Sequence, residues 1–141
     1  MHERHGVAER GRPVSRGKSF GVLVVRNTYT YLWEFEVSPE LAADFERHYG
    51  PTGTWARLFR RSPDYIETSL LRDNAVPGRY LTVDRWRSED AYIAFKSAFA
   101  TQYVQLDNEC AQLTVAERCL GGFSELSPDD SFKSNALRGS A

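Results

Sequence analysis

Asp84 stands two residues before Trp86 in the run Tyr80-Leu81-Thr82-Val83-Asp84-Arg85-Trp86, and Tyr92 follows that Trp by six residues. Alternation along an extended chain places Tyr80, Thr82, Asp84 and Trp86 on one face. If that face is covered by helices, a carboxylate lies beneath aromatic side chains, where desolvation raises its pKa unless Arg or Tyr groups satisfy it. Such a group is a candidate proton acceptor. Two readings stand at each position. Asp84 is either that acceptor or a strand-end Asp, solvated or paired with Arg85 or Arg87 of a neighbouring chain. Trp86 is either a platform for a planar ligand or core filling. Tyr92 and Tyr103 are either pocket hydroxyls or amphipathic core residues.

The elements that must hold these residues repeat once. Trp33-Glu34-Phe35-Glu36-Val37 leads through Ser38 to a helix carrying Phe45, and the strand ending at Trp86 leads through Ser88 to a helix carrying Phe95. A strand, a Ser and a Phe seven residues after that Ser thus occur twice, which predicts a β-α-β-β-α-β unit. Ser38 and Ser88 are expected to cap their helices, with Pro39 at a position that needs no donor and Glu40, Glu89 and Asp90 at the positive ends of the dipoles. Leu41, Phe45 and Tyr49 give the first helix one buried face, and it should stop at Gly50-Pro51. Tyr92, Phe95, Phe99, Tyr103, Leu106, Cys110 and Leu113 form a stripe too long for one ordinary helix, so a break is expected near Thr101 and Gln102.

Tyr29, Tyr31, Trp33, Phe35 and Val37 line one face of the first strand. Tyr65 to Arg72 and Tyr80 to Trp86 form a hairpin around Asp73-Asn74-Ala75-Val76-Pro77-Gly78. A last strand runs from about Thr114 to Leu120, with a bulge or bend at Gly121-Gly122 before Phe123. Thr54 to Phe59 reads as a short helical turn, with Trp55 and Phe59 closing one end of the core. With helices on one side of the sheet, Leu32, Ile66, Leu70, Leu81 and Val83 leave the other side too apolar for a monomer, and a homodimer with facing sheets is expected.

The chain has 141 residues, 41% of them hydrophobic, enough for one domain with a real core. Its net charge of −1 gives no global field for nucleic acid or an anionic membrane. Residues 1–19 read as a disordered basic tail, carrying Arg4, Arg10, Arg12, Arg16 and Lys18 against Glu3 and Glu9. Residues 20–123 read as the domain and 124–141 as a loose polar tail. Phe20 to Val25 is too short for a membrane span or a signal-peptide core and is expected to form an additional edge strand; the expected location is the cytoplasm. Cys110 and Cys119 have no metal or redox spacing and are expected to be buried free thiols. His48, beyond the tail the one His, is expected at a surface or helix end, and no metal-ligand set is visible.

From about Tyr29 to Phe123, the order of elements, the aromatic first strand with Trp33 and Phe35, and above all Trp86-Arg87-Ser88-Glu89-Asp90-Ala91-Tyr92 resemble the antibiotic biosynthesis monooxygenase family. The resemblance implies an α+β, ferredoxin-like β-α-β-β-α-β sandwich, with an antiparallel sheet and helices on one face, pairing into a dimeric α/β barrel. It also implies oxygenation of a small phenolic or polyketide-like aromatic compound, without metal or flavin and with no cofactor. Trp86 and Tyr92 match the family's pocket Trp and Tyr; Thr82 takes the place of its Asn, and its pocket Arg has no counterpart. On this reading Asp84, Trp86 and Tyr92 are catalytic and Thr82, Trp33, Tyr103 and Trp55 bind substrate. The alternative is a noncatalytic small-molecule-binding or dimeric interaction module of the same fold. Haem degradation, found elsewhere in the superfamily, is disfavoured because the second long helix has no His to bind iron.

Overall fold

A computed structural model describes residues 28–126, so the expectations for the two terminal segments, including an edge strand at Phe20 to Val25, lie outside the described residues. Four strands, β1 (Tyr29–Glu36), β2 (Tyr65–Arg72), β3 (Arg79–Trp86) and β4 (Ala116–Ser124), form one sheet in the order β2-β3-β1-β4. All three neighbouring pairs are antiparallel. The helices are α1 (Ala42–Tyr49), α2 (Thr54–Phe59), α3 (Glu89–Ala98) and α4 (Ala100–Cys110). This is the ferredoxin-like arrangement predicted from the half-repeat: β3 lies between the two strands of the first half, and β1 between the two of the second.

The helices cover one face. Phe45 and Tyr49 of α1 pack on Phe35 of β1 with ring centroids 5.3 and 5.0 Å away, and Phe95 of α3 packs on Trp86 of β3 at 5.2 Å. Phe59 of α2 lies edge-on to both Trp86 and Phe95, at 5.4 and 5.5 Å, and so joins the two halves. Phe45 and Phe95, the equivalent residues of the repeat, are both buried.

The two helix starts differ. Ser88 caps as expected, its Oγ accepting from the Ala91 amide at 3.0 Å. Ser38 makes no side-chain cap. Pro39–Leu41 forms a 3-10 turn ahead of α1, and the Ser38 carbonyl accepts from the Leu41 amide at 2.9 Å, so the backbone does the capping there. α1 ends before Gly50, as expected.

Other differences concern register and bends. The long stripe breaks at Phe99 (φ −113°, ψ 32°) rather than at Thr101 or Gln102. Phe99 is held there by stacking on Phe95 at 5.1 Å, which lets α3 and α4 keep one face on the sheet where a straight helix would drift away. β4 runs through Gly121 and Gly122, and the extra residue is Leu120, since Leu32 pairs with Gly121 and Trp33 with Cys119. Glycine is needed at 122, where a Cβ would collide with the Tyr29 ring. It is needed again at Gly78, whose φ is 82° and whose carbonyl takes the Val37 amide at 2.8 Å. Cys110 is a buried free thiol, but Cys119 is exposed, contrary to expectation, because β4 is an edge strand.

A second bulge, at Ile66, changes which side chains face the helices. Tyr65 pairs with Trp86 and Glu67 with Arg85, so Ile66 is the unpaired residue. Thr68 then lies opposite Asp84 and Leu70 opposite Thr82. Leu70 therefore packs against the core and is not part of the outer face, where simple alternation had placed it.

Candidate functional site

Thr82, Asp84 and Trp86 do share the helix-facing side of β3, and all three are buried, at 3%, 4% and 0% exposure. Among the described residues Asp84 is the one buried side chain that is ionisable as a carboxylate. Its carboxyl Oδ1 accepts from Thr68 Oγ1 at 2.7 Å, and Thr68 Oγ1 is in turn 2.6 Å from Tyr65 Oη. Across the other ladder Asp84 lies opposite Tyr31. Neither Arg85 nor Arg87 takes up Asp84 within the chain: Arg85 pairs with Glu67 at 3.2 Å, and Arg87 is 3.9 Å from Asp64. Burial holds the Tyr65 phenol above its ordinary pKa, although the Thr68 hydrogen bond opposes this.

Trp86 is enclosed by rings. Phe59, Tyr65 and Tyr92 meet it edge-on with centroids 5.3 to 5.4 Å away, and Phe95 lies tilted at 5.2 Å. Tyr92 reaches β1 as well, packing on Tyr31 at 5.0 Å and Tyr29 at 5.9 Å. Trp33 stacks on Phe35 and lies across the ladder from Thr82. Trp55 and Tyr103 meet edge-on at 5.1 Å and connect to Trp86 through Phe59. The seven residues singled out in the sequence thus fall into a group around β3 and α3 and a separate pair between α2 and α4.

Two polar atoms in the first group have no hydrogen-bond partner, Thr82 Oγ1 and Trp86 Nε1. Leaving such an atom buried costs about 1–3 kcal/mol, which a ligand able to bond to it returns. At strand spacing, Thr82, Asp84 and Trp86 form a line about 13 Å long.

Among the described residues, cavities open elsewhere. One of about 330 Å³ lies between α2 and α4, lined by Arg57, Arg61, Gln105 and Glu109 among others. A second, also of about 330 Å³, is on β1 and β4 around Glu34, Arg79 and Arg118, and a third of about 260 Å³ lies at Leu71, Asp73 and Leu81. None of these three is lined by Asp84, Trp86 or Tyr92. Among the described residues no cluster of three or more His, Cys, Asp or Glu could hold a metal ion, and no helix is long and apolar enough to cross a membrane.

Thr68 and Tyr65 escaped the sequence reading. Three residues apart in one strand, they fall on opposite faces unless a bulge intervenes, and Ile66 carries no bulge signal such as Gly or Pro.

The sequence profile described as antibiotic biosynthesis monooxygenase matches residues 28–102. No protein with a curated description matches the sequence. Among solved structures, a candidate antibiotic biosynthesis monooxygenase from Bordetella bronchiseptica superposes with TM-score 0.58 at 19% identity, over 72% of this chain and 100% of that one. A candidate of the same description from Nitrosomonas europaea gives 0.56 at 14% identity, over 76% and 98%. A point variant of SnoaB, a cofactor-independent oxygenase from Streptomyces nogalater, gives 0.51 at 21% identity, over 72% and 95%. At these identities the likeness establishes the fold.

Proposed function

Since the chain belongs to the antibiotic biosynthesis monooxygenase family, we propose that it oxygenates a small phenolic or polyketide-like aromatic compound on the helix-facing side of β3, without a cofactor. One observation carries this reading: a buried carboxylate, Asp84, stands between two buried polar atoms without partners, Thr82 Oγ1 and Trp86 Nε1. Asp84 accepts the acidic proton of the substrate, and Thr82, Trp86 and Tyr92 hold the resulting anion while oxygen reacts with it. An activated ring CH₂ becomes a carbonyl, with one oxygen atom entering the product and the other leaving as water, so the substrate supplies all the electrons. Trp33 extends the aromatic lining, and Trp55 and Tyr103 close the far end. Asp84 being 4% exposed, a ligand enters by displacing the side chains above it.

Oxygen uptake on a panel of polycyclic phenols and anthrones tests this reading. The wild type is expected to consume oxygen with at least one of them, and Asp84→Asn, which keeps the shape and loses the base, to bind it but turn over 10²- to 10⁴-fold more slowly. An Asp84→Asn rate equal to that of the wild type removes Asp84 from the mechanism.

The enclosure of Trp86 by four rings favours a second reading, a noncatalytic binding or interaction module of the same fold. Failure of every aromatic compound in the panel to quench tryptophan fluorescence decides for it. In either case we propose that two copies pair through the outer face of the sheet, where Leu32 and Leu81 are half-buried and Leu71 and Phe123 are about half exposed.

A further inference from the structure

The bulge at Ile66 brings two hydroxyls, Tyr65 Oη and Thr68 Oγ1, into a chain of short hydrogen bonds ending on Asp84, at 2.6 and 2.7 Å, with all three residues buried. A chain of this kind has a direction. Thr68 has one hydroxyl proton, and if it goes to an ionised Asp84 then the Tyr65 phenol must be the donor to Thr68. Tyr65 is suited to that end, since burial keeps its proton in place. When Asp84 gains a proton the chain can reverse, Asp84 donating to Thr68 and Thr68 to Tyr65, so both protonation states of the carboxyl find a partner without movement of heavy atoms.

We propose that Thr68 and Tyr65 are positioning residues that fix the Asp84 carboxyl group and set its readiness to take a proton. The placement rests on geometry alone, while its catalytic consequence rests on the oxygenase reading above. Among the described residues the titratable groups nearest Asp84 on this side of the sheet are phenols, Tyr31 across β1 and Tyr92 of α3 packed on it; farther along the same side stand Tyr80, which donates to the Glu46 carboxylate, Glu117 opposite Phe35, and the buried Cys110 thiol. The nearest charged neighbours along the strands, Arg85 and Glu67, alternate to the outer face and pair with each other.

The test follows the Asp84 carboxyl carbon by ¹³C NMR through a pH titration of the full chain, with the resonance assigned by its loss in Asp84→Asn. A charge-assisted bond favours the ionised form more than the reversed bond favours the neutral one. Thr68→Val, which keeps the shape and removes the hydroxyl, is therefore expected to move the midpoint upward, Thr68→Ser to restore it, and Tyr65→Phe to move it upward by less. A Thr68→Val midpoint equal to that of the wild type overturns the proposal, as does a Thr68→Ser midpoint matching that of Thr68→Val. If Thr68→Val does not fold, Tyr65→Phe decides: no shift overturns the proposal. In the oxygenation assay Thr68→Val is expected to lower kcat at least tenfold with KM little changed, and Thr68→Ser to recover it; equal kcat in wild type and Thr68→Val removes the positioning role. Should the midpoints shift as expected while Asp84→Asn turns over as fast as the wild type, the relay stands and the oxygenase reading falls.

Discussion

The two faces of one sheet are built from alternate residues of the same four strands, yet they have little in common. The helix-facing side carries Tyr31, Trp33, Phe35, Tyr80 and Trp86, nearly closed to solvent, and Asp84, the one buried carboxylate among the described residues. The outer side carries Glu34, whose carboxylate binds Arg79 at 2.7 Å and Arg118 at 2.6 Å, and the Glu67–Arg85 pair, set among Leu32, Leu71 and Leu81. On the inner side a polar group has no water to fall back on, so its position is set by a few directed hydrogen bonds. On the outer side water competes for every charge, and position is set loosely by several partners. Chemistry is therefore expected inside and association outside.

The largest effects belong to the inner face. Phe45→Ala and Phe95→Ala are each expected to cost about 3–5 kcal/mol, because both rings sit in a packed core that cannot collapse around the gap. Phe123→Ala, on the outer side and 51% exposed, should change monomer stability by no more than about 0.5 kcal/mol. Urea denaturation compares the three. Similar losses at all positions erase the distinction between the faces.

Association should show the reverse. Leu81→Arg places a charge in the middle of the outer face and is expected to weaken pairing at least tenfold, about 1.4 kcal/mol, with the fold kept. Sedimentation velocity at micromolar concentration reads this directly. A wild type that sediments only as a monomer removes the dimer proposal altogether.

The next effect is smaller and lies where the two halves of the repeat diverge. Ser88→Ala removes a cap hydrogen bond and should cost about 1 kcal/mol, whereas Ser38→Ala removes none and should be close to neutral. Equal costs at the two serines mean that Ser38 contributes in some way other than as a cap.

The repeat itself was legible because it depends on local rules: alternation in β1 and β3, the Pro39 and Ser88 helix starts, and the apolar stripe from Tyr92 to Leu113. Asp84 and Trp86 were legible for the same reason, since β3 is regular from Arg79 to Trp86. The bulges at Ile66 and Leu120 were not. A bulge in a chain of ordinary residues is imposed by what pairs and packs across the strand, here Tyr65 with Trp86 and Trp33 with Cys119, and no nearby residue announces it. From Ile66 onward parity in β2 is reversed, so Leu70 moved from the outer face to the inner, and Thr68 came to Asp84 unforeseen. The break at Phe99 was missed by two residues because Thr and Gln are only weak helix breakers, while the stacking of Phe99 on Phe95 is tertiary.

The smallest effect tests the outer network and has a definite sign with pH. Glu34 lies below its ordinary pKa, chiefly through the hydrogen bond from Arg79 and then that from Arg118; Asp73 is lowered by Arg79 and by the amides of Ala75 and Val76. Both carboxyls have lower pKa values folded than unfolded, so their contribution is present above the unfolded values, about 4, and is lost as the pH falls through the folded ones. The urea midpoint should therefore fall on going from neutral pH to below about pH 4, and by less in the Glu34→Gln, Asp73→Asn double variant. Salt should blunt the difference, since Arg79 is 42% and Arg118 68% exposed and both are screened. If the double variant loses stability with acid as steeply as the wild type, the acid-sensitive group lies outside the Glu34–Arg79–Asp73 network, and Glu67 on the outer face and Asp84 on the inner are the next residues to substitute.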